Sequence, residues 1–302
     1  MMRNAPILEA EFLTELPEEL HHRGPPTPWA AMTRPGQNIH SFLEGAFFDA
    51  DGALWLCDVP EGRIFRVTAA GEWEFVQSYE GEPHSMRFAA DGRMLVVDYR
   101  HGLIGLQGSD ILPLATEIDG RPFLGLSDMC LAPDDTLWFT DSGRTSLSDP
   151  RGGVCCRKPD GSLRRVLDYI AYPNGIAVSP DGAFVYVAST RANQILRFAS
   201  ALPAEGPPML GTFLHLSGGL GPDGLATNAL GWLAIAQAQA GRAYVVDALG
   251  DPVAEIRLPR GMWTTSVAFH PEDPLRLYII EAQFGAVFVA SLGPVDIMKV
   301  NR

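Results

Sequence analysis

The chain has 302 residues, of which 46% are hydrophobic and 20% are charged, and its 36 acidic and 23 basic residues give a net charge of −13. This excess of negative charge repels phosphate backbones and anionic lipids, so we expect neither nucleic acid nor a membrane as a partner. The first residues lack the apolar core and cleavage site of a signal peptide, and the four cysteines show no metal-binding spacing, which favours a cytoplasmic protein with buried free thiols.

Six similar stretches follow the N-terminal residues 1–43, and each opens with a polar residue just before an apolar strand and a turn. The openings are 40, 43, 47, 49 and 42 residues apart, at Glu44, His84, Ser127, Asn174, Asp223 and Thr265. A period of about 40 to 45 residues is typical of one blade of a β-propeller. We therefore predict an all-β chain that forms a single six-bladed β-propeller domain over residues 1–302, with the six openings around a central channel.

Within each stretch, a short turn joins two apolar strands, and in three of the stretches that turn contains Asp-Gly, the strongest short signal for a hairpin. The turns lie at residues 51–52, 91–92, 134–135, 181–182, 228–231 and 272–274. No segment shows a sustained helical period, which agrees with an all-β fold.

The N-terminal segment, residues 1–43, has only a weak alternation of apolar residues, in EAEFLTEL. In propellers one terminus often supplies a strand to the last blade, so we expect this segment to pair with the C-terminal copy and close the ring. Residues 25–36 would then cross one face of the disc.

Five phrases give the chain a resemblance to a known family. They are LEG at 43–45, GRIF at 62–65, DYRHG at 98–102, PNGIA at 173–177 and PDG at 222–224. In this order, over roughly residues 40–292, they resemble the senescence-marker-protein/gluconolactonase (regucalcin-like) family of six-bladed propeller hydrolases. Members of that family hold a divalent cation at the channel and mostly hydrolyse lactones, and related propellers hydrolyse organophosphates.

Carried over by position, the resemblance implies that Glu44, Asn174 and Asp223 are the protein ligands of one divalent cation in the channel. Two carboxylates and an amide oxygen suit a hard ion, so we expect Ca²⁺, with Mg²⁺, Mn²⁺ or Zn²⁺ as alternatives. Such an ion makes a lactone carbonyl more electrophilic as water attacks. We expect Asp223 to be the catalytic base as well as a ligand, and Glu44 to be a ligand only.

One position departs from the family pattern. Most relatives open the third blade with Asn-Asp, whereas this chain has Ser127-Asp128. A serine hydroxyl is a weaker ligand than an amide oxygen, so we expect water to replace a fourth ligand, or the ligand to be lost, and the substrate pocket to differ.

We expect the substrate to contact five side chains, His84, Arg100, Ser127, Asp128 and Trp263. His84 is a candidate hydrogen-bond donor, proton shuttle or ligand, and the alternative is that it only caps a strand. Arg100 is a candidate for binding a substrate hydroxyl or carboxylate, or it belongs to a solvated loop. Trp263 either walls the pocket or packs. Asn174, which precedes a glycine, has a turn as its alternative.

The sequence thus predicts a hydrolase that opens a small, polar, sugar-derived lactone, as gluconolactonases do in carbohydrate metabolism. An esterase or phosphotriesterase on the same ion and a non-catalytic ligand-binding propeller remain alternatives. A Ser127, His84, Asp128 triad ranks below the metal site, and the glycine pattern at residues 219–224 lacks the helix that a dinucleotide site needs. No pattern indicates an oligomeric state.

Overall fold

Six sheets, antiparallel except for one added parallel strand, surround a central channel in the computed structural model, which describes residues 5–108 and 110–293. The six-bladed β-propeller predicted from the repeat is therefore confirmed, and the extreme ends of the domain predicted over residues 1–302 lie outside the described residues. Six strands, one from each sheet, form the inner ring, because each contacts the inner strand of the next blade and the last contacts the first.

The elements follow the chain in blade order. Ahead of the first blade are β1 (Ile7–Glu9), β2 (Glu11–Glu15), a 3₁₀ turn (Glu18–Leu20) and the helix α1 (Pro28–Thr33). Blade one contains β3 (Leu43–Phe48), β4 (Leu54–Asp58), a 3₁₀ turn (Val59–Glu61), β5 (Arg63–Val67) and β6 (Trp73–Ser78). Blade two contains β7 (Pro83–Phe88), β8 (Met94–Asp98), β9 (Gly102–Gln107) and β10 (Asp110–Ala115), and a ribbon of β11 (Glu117–Ile118) and β12 (Arg121–Pro122) follows it.

Blade three contains β13 (Leu126–Leu131), β14 (Leu137–Asp141), β15 (Gly152–Arg157) and β16 (Leu163–Ile170). Blade four contains β17 (Pro173–Val178), β18 (Phe184–Ser189), a 3₁₀ turn (Thr190–Ala192), β19 (Gln194–Ala199) and β20 (Gly211–His215). Blade five contains β21 (Gly221–Thr227), β22 (Leu233–Ala238), β23 (Arg242–Val246) and β24 (Pro252–Arg257), and blade six contains β25 (Thr264–Phe269), β26 (Arg276–Glu281) and β27 (Ala286–Ser291).

The six predicted openings all lie at the start of the inner strands β3, β7, β13, β17, β21 and β25. Each is the second residue of its strand, except Asp223, which is the third residue of β21. Since the predicted hairpin turns follow at the far ends of the same strands, the opening side chains gather at one end of the channel.

The N-terminal segment joins two blades. β2 pairs antiparallel with β27 and completes blade six, with Phe12 opposite Phe288. β1 pairs in parallel with β24 and adds a fifth strand to blade five, with Leu8 opposite Ile256. The segment then crosses the channel end of the disc, where α1 buries Trp29.

The core lies between neighbouring blades. Cys155 packs in the cluster between blades two and three and Cys156 in the cluster between blades three and four, so the two thiols point to opposite faces of β15. All four cysteines are buried and free. Within residues 5–108 and 110–293, no helix has the length and apolar character needed to cross a bilayer.

Candidate metal centre

Buried acidic side chains anchor the start of four inner strands. Each acid ends the second strand of its blade, is fully buried and accepts a backbone N–H from the segment that enters the inner strand. The bonds run from Phe42 to Asp58, from Glu82 to Asp98, from Gly125 to Asp141 and from Trp263 to Glu281, at 2.6, 2.7, 3.1 and 2.9 Å. Each anchored amide precedes a predicted opening by two residues, so the anchors fix the positions of Glu44, His84, Ser127 and Thr265.

Glu44 and His84 form a buried pair at the channel end. The Nδ1 atom of His84 lies 2.7 Å from Oε2 of Glu44. Burial disfavours the charged ring, but the carboxylates of Glu44, Asp98 and Glu82 raise the pKa of His84 above its ordinary value. Its Nε2 atom is buried and has no hydrogen-bond partner among the described residues. The imidazole thus keeps one ring nitrogen without a protein partner.

Ser127, Asn174 and Asp223 continue the cluster across blades three, four and five. The Ser127 hydroxyl donates to Oδ1 of Asn174 at 2.8 Å. Asp223 is only 8% exposed, and burial together with the charges of Glu44 and Asp128 raises the pKa of Asp223 well above its ordinary value, against the opposite effect of Arg34. The cluster therefore contains several carboxyl groups and too few positive charges to neutralise them.

These residues fit a hard divalent cation. A void of about 10 Å³ lies between Glu44, Asn174 and Asp223, which is close to the space that one water-sized particle occupies. Among the described residues, no three His, Cys, Asp or Glu side chains cluster as a metal site, so an ion in this void would need the amide of Asn174 beside Glu44 and Asp223. Two carboxylates and an amide oxygen are ligands of the kind that Ca²⁺ and Mg²⁺ prefer.

A larger cavity of about 490 Å³ lies directly above this cluster and shares Glu44, Asn174 and Asp223 with it. Its size falls within the range of small-molecule sites. Trp29 and Trp263 both line it.

Arg34, which follows α1, lies in the same cavity and was missed from the sequence. Its guanidinium carbon is 3.2 Å from the centroid of the Trp263 ring and 4.5 Å from that of Phe42. Burial lowers the pKa of Arg34 to about 10, against the attraction of Glu44 and Asp223, so the side chain remains charged at neutral pH. The only available signal was its place in the segment 25–36, which we expected to cross this face.

Tyr172 is a second residue that sequence reasoning missed. It lines the cavity two residues before Asn174 and has a left-handed backbone, with φ of 57°. A non-glycine residue in that region is strained, and such strain concentrates at functional sites. The Tyr172 amide donates to Oγ1 of Thr145 at 3.0 Å, which holds the strained turn in place.

The predicted contact Arg100 and the opening residue Thr265 do not line the cavity. Arg100 directs its guanidinium to Glu80, at 3.3 Å, and lines a separate surface groove, because Asp98 accepts the Arg100 amide and turns the chain outward. Thr265 donates to the carbonyl of Leu43 at 2.6 Å and links blade six to blade one.

Asp128 borders the small void, but its carboxylate accepts the amides of Met129 and Ile176 at 2.8 and 3.1 Å. His84 is bonded to Glu44 and Ser127 to Asn174, so the hydrogen bonds do not assemble a Ser127, His84, Asp128 triad. A larger cleft, of about 800 Å³, borders blades three and four and contains none of the predicted site residues.

The chain is similar to known proteins over most of its length. A family model described as the SMP-30/Gluconolactonase/LRE-like region matches residues 42–283. The lactonase drp35 of Staphylococcus aureus (strain bovine RF122 / ET3-1) is 30% identical over 247 residues, which cover 77% of this chain and 73% of that protein. The lactonase drp35 of Staphylococcus saprophyticus is 27% identical over 244 residues, with the same shares covered.

Solved structures with the same fold were also found. A calcium-binding protein, regucalcin, from Agrobacterium tumefaciens strain C58 superposes with a TM-score of 0.73 at 22% identity, covering 94% of this chain and 95% of that one. A gluconolactonase from Xanthomonas campestris superposes with a TM-score of 0.71 at 23% identity, covering 83% and 86%. At these identities the likeness shows a shared fold.

Proposed function

Because this chain belongs to the SMP-30/gluconolactonase/LRE-like family, we propose that it hydrolyses a small, polar, sugar-derived lactone in the cavity above Glu44, Asn174 and Asp223. One observation carries the proposal: the buried Asp223, whose pKa is raised well above its ordinary value by burial, borders a void of about 10 Å³ and also the cavity of about 490 Å³. The relatives named lactonase drp35 support the reaction class.

The ion would be held by Glu44, Asn174 and Asp223, with Ca²⁺ as the first candidate and Mg²⁺, Mn²⁺ or Zn²⁺ as alternatives. When bound, a divalent cation would polarise the lactone carbonyl and stabilise the negative charge that develops on its oxygen. Ser127 acts as a positioning residue. Its hydroxyl donates to Asn174 Oδ1 and occupies one lone pair of that oxygen, which leaves the second lone pair for the ion.

Asp223 is the proposed base. Its carboxylate takes a proton from the attacking water, whose oxygen bonds to the carbonyl carbon. The ring C–O bond then breaks, and the same proton passes to the departing alkoxide to give the open hydroxy acid. For this role Asp223 must be ionised, which Glu44 and Asp128 oppose and Arg34 favours.

The free Nε2 of His84 is the proposed hydrogen-bonding contact for the substrate. His84 lines the cavity, and Glu44 holds its ring by Nδ1, so the ring keeps a fixed position. The ring is also the next candidate for the base if Asp223 does not serve.

Metal removal tests the proposal directly. Protein stripped by a chelator should lose the opening of glucono-1,5-lactone, followed as acid release, and regain it when one of Ca²⁺, Mg²⁺, Mn²⁺ or Zn²⁺ is added back. Activity that survives complete metal removal would contradict the mechanism. Esters and phosphotriesters assayed in parallel separate a lactonase from an esterase or phosphotriesterase on the same site.

The substitution Asp223→Asn should lower kcat by about 1,000-fold, since it removes both a base and a charged ligand. Asp247→Asn is the matched control, because Asp247 is also in blade five and buried but caps the turn at the opposite end of the sheet. The control should keep most activity. If Asp223→Asn also does, the base lies elsewhere, with His84 next to be tested.

A further inference from the structure

Three arginines line the upper part of the cavity: Arg34, Arg144 and Arg191, which together are called the arginine rim below. Their presence is unexpected in a chain with a net charge of −13. Within the part of the chain that the structure describes, none of the three lies within ion-pair distance of a carboxylate. The positive charge at the mouth of the cavity is therefore left without an ionic partner from the protein.

The arginine rim is assembled from three distant segments around one tyrosine. Arg34 follows α1, Arg144 follows β14, and Arg191 lies in the 3₁₀ turn after β18. The charges of Arg34 and Arg144 both act on the hydroxyl of Tyr172, and the guanidinium carbon of Arg191 is 5.5 Å from the centroid of its ring. Arg144 also donates from Nη2 to Oγ1 of Thr33 at 2.9 Å, which ties it to the residue before Arg34.

The carboxylates of the proposed metal site do not neutralise the positive charge of the arginine rim. Glu44 and Asp223 are the only carboxylates among the described residues that line the cavity, and both are assigned to the ion. Two carboxylates and one divalent ion are neutral together, so three guanidinium charges remain. Glu82 is close enough to interact with Arg144, but it does not line the cavity.

Arg34 is the strongest sign of a ligand. It is only 7% exposed, and burying a charge without a partner is costly. Stacking on Trp263 and Phe42 covers the faces of the guanidinium, which lies at the cavity wall. Among the described residues its N–H edge makes one hydrogen bond, to the carbonyl of Thr33 at 3.3 Å, so most of that edge has no protein partner. That planar edge matches the two oxygens of a carboxylate or phosphate.

We propose that the substrate is a lactone that carries an oxyanion substituent, a carboxylate or a phosphate, and that the arginine rim binds this group while the ring carbonyl faces Asp223. The inference rests on the proposed lactonase function and specifies its substrate class. Selectivity follows because a neutral lactone leaves the buried charge of Arg34 without a partner, whereas an anionic one compensates it.

Matched substrates test the inference. The compound 5-oxotetrahydrofuran-2-carboxylate is compared with its neutral carboxamide, and 6-phosphoglucono-1,5-lactone with glucono-1,5-lactone. The anionic member of at least one pair should have a kcat/KM higher by about 10-fold to 100-fold, the range of one hydrogen bond to a charged group. Whichever pair shows the preference identifies the oxyanion, and no preference in either pair overturns the inference.

Variants connect the preference to the arginine rim. Arg34→Gln, Arg144→Gln and Arg191→Gln should each reduce the preference by about 10-fold, through kcat/KM for the anionic lactone alone. Arg144 and Arg191 are exposed, so their substitution does not endanger folding even if Arg34→Gln does. Arg93→Gln is the control, since Arg93 pairs with Asp91 beside the far turn of blade two. An unchanged preference in both exposed variants would overturn the inference.

A binding measurement separates this inference from the proposed function. The ketone 3-oxocyclopentane-1-carboxylate has the shape of the carboxylated lactone but no ring oxygen, so it cannot be hydrolysed. By calorimetry the unsubstituted protein should bind it about 10-fold or more tightly than its carboxamide, and Arg191→Gln should reduce the difference by about 10-fold. If the carboxylate ketone binds more tightly but the protein opens no lactone, the proposed lactonase function is wrong and oxyanion binding by the arginine rim is supported. Equal binding of the two ketones excludes the carboxylate, and together with no preference for the phosphorylated lactone it overturns the arginine rim whatever the activity.

Discussion

Acidic side chains at the channel end of this propeller serve two purposes that their residue type alone does not distinguish. Asp98 is fully buried, yet its oxygens accept the amides of Glu82, Arg100 and His101, so the backbone satisfies it. Glu44 and Asp223 face each other instead, and the charge of Glu44 contributes to the raised pKa of Asp223. An acid satisfied by amides orders the backbone, whereas an acid crowded by another acid is suited to bind a cation.

Asp58 gives a pH-dependent prediction for the anchoring acids. It is fully buried beside Arg63, and burial outweighs that partner and raises the pKa of Asp58 from 3.8 to about 6. An acid whose pKa is higher in the folded chain binds its proton more tightly there. Its contribution to the free energy of unfolding is therefore complete below about pH 4 and is lost as the pH rises through about 6.

The comparison is between the unsubstituted protein and Asp58→Asn, unfolded in urea at about pH 4 and about pH 7. The free energy of unfolding of the unsubstituted protein, relative to Asp58→Asn, should fall by about 2 kcal/mol over that interval. If the free energy of unfolding of the unsubstituted protein, relative to Asp58→Asn, rises with pH instead, Arg63 keeps Asp58 ionised in the folded state.

Close approach of the inner strands explains the glycine after Asn174. Sequence reasoning left a turn as the alternative at this position, but both residues lie within β17. A Cβ atom on Gly175 would clash with the carbonyl of Asp223 and come within 2.8 Å of the Leu225 amide. The glycine thus lets β17 and β21 approach, and this approach brings Asn174 and Asp223 together.

Gly175→Ala should therefore lower the free energy of unfolding by about 2 kcal/mol and reduce activity, because it pushes β21 away from β17. Gly211→Ala is the matched control, since an added Cβ there meets nothing within 4 Å and neither glycine has a left-handed backbone. The control should stay within about 0.5 kcal/mol of the parent. Equal effects of the two substitutions in thermal unfolding would show that the inner ring adapts to the extra atom.

Local signals were sufficient to predict the elements that repeat. The polar openings and the turns at 51–52, 91–92 and 181–182 follow from strand alternation and Asp-Gly chemistry, which act between close neighbours in sequence. The added parallel strand β1 and the six-residue helix α1 occur once each, so no second copy supports them. Arg34 belongs to that unrepeated segment, so a comparison of the repeats could not identify it as a cavity residue.

At the scale of the whole molecule, the N-terminal segment connects ring closure to the cavity. β2 completes blade six, and the same segment continues to Trp29 and Arg34 above the proposed metal ligands. The ring is stable only when its last blade is complete, so loss of the segment should affect every blade. The positions of Trp29 and Arg34 in the cavity depend on the same closure.

Leu16 allows this dependence to be measured. It is 1% exposed, packs in one cluster with Leu43 and Val287, and donates its amide to the carbonyl of Gly285 at 2.9 Å. Leu16→Ala should lower the free energy of unfolding by about 2 to 5 kcal/mol, the range for truncating a buried leucine. Leu112→Ala, at a leucine that is 40% exposed on the outer strand of blade two, is the control and should cost about 0.5 kcal/mol.

Hydrogen exchange then distinguishes global from local opening. If the ring opens as one unit, Leu16→Ala should speed the exchange of core amides in β18 of blade four by the same factor as those in β26 of blade six, since both require the same unfolding event. Faster exchange confined to β2 and β27 would mean that blade six frays alone and that the other five blades do not need the closure. Activity at low temperature distinguishes the two cases independently. Global opening leaves the site intact in the folded molecules, so kcat/KM should stay unchanged. Local fraying displaces Arg34, so kcat/KM should fall.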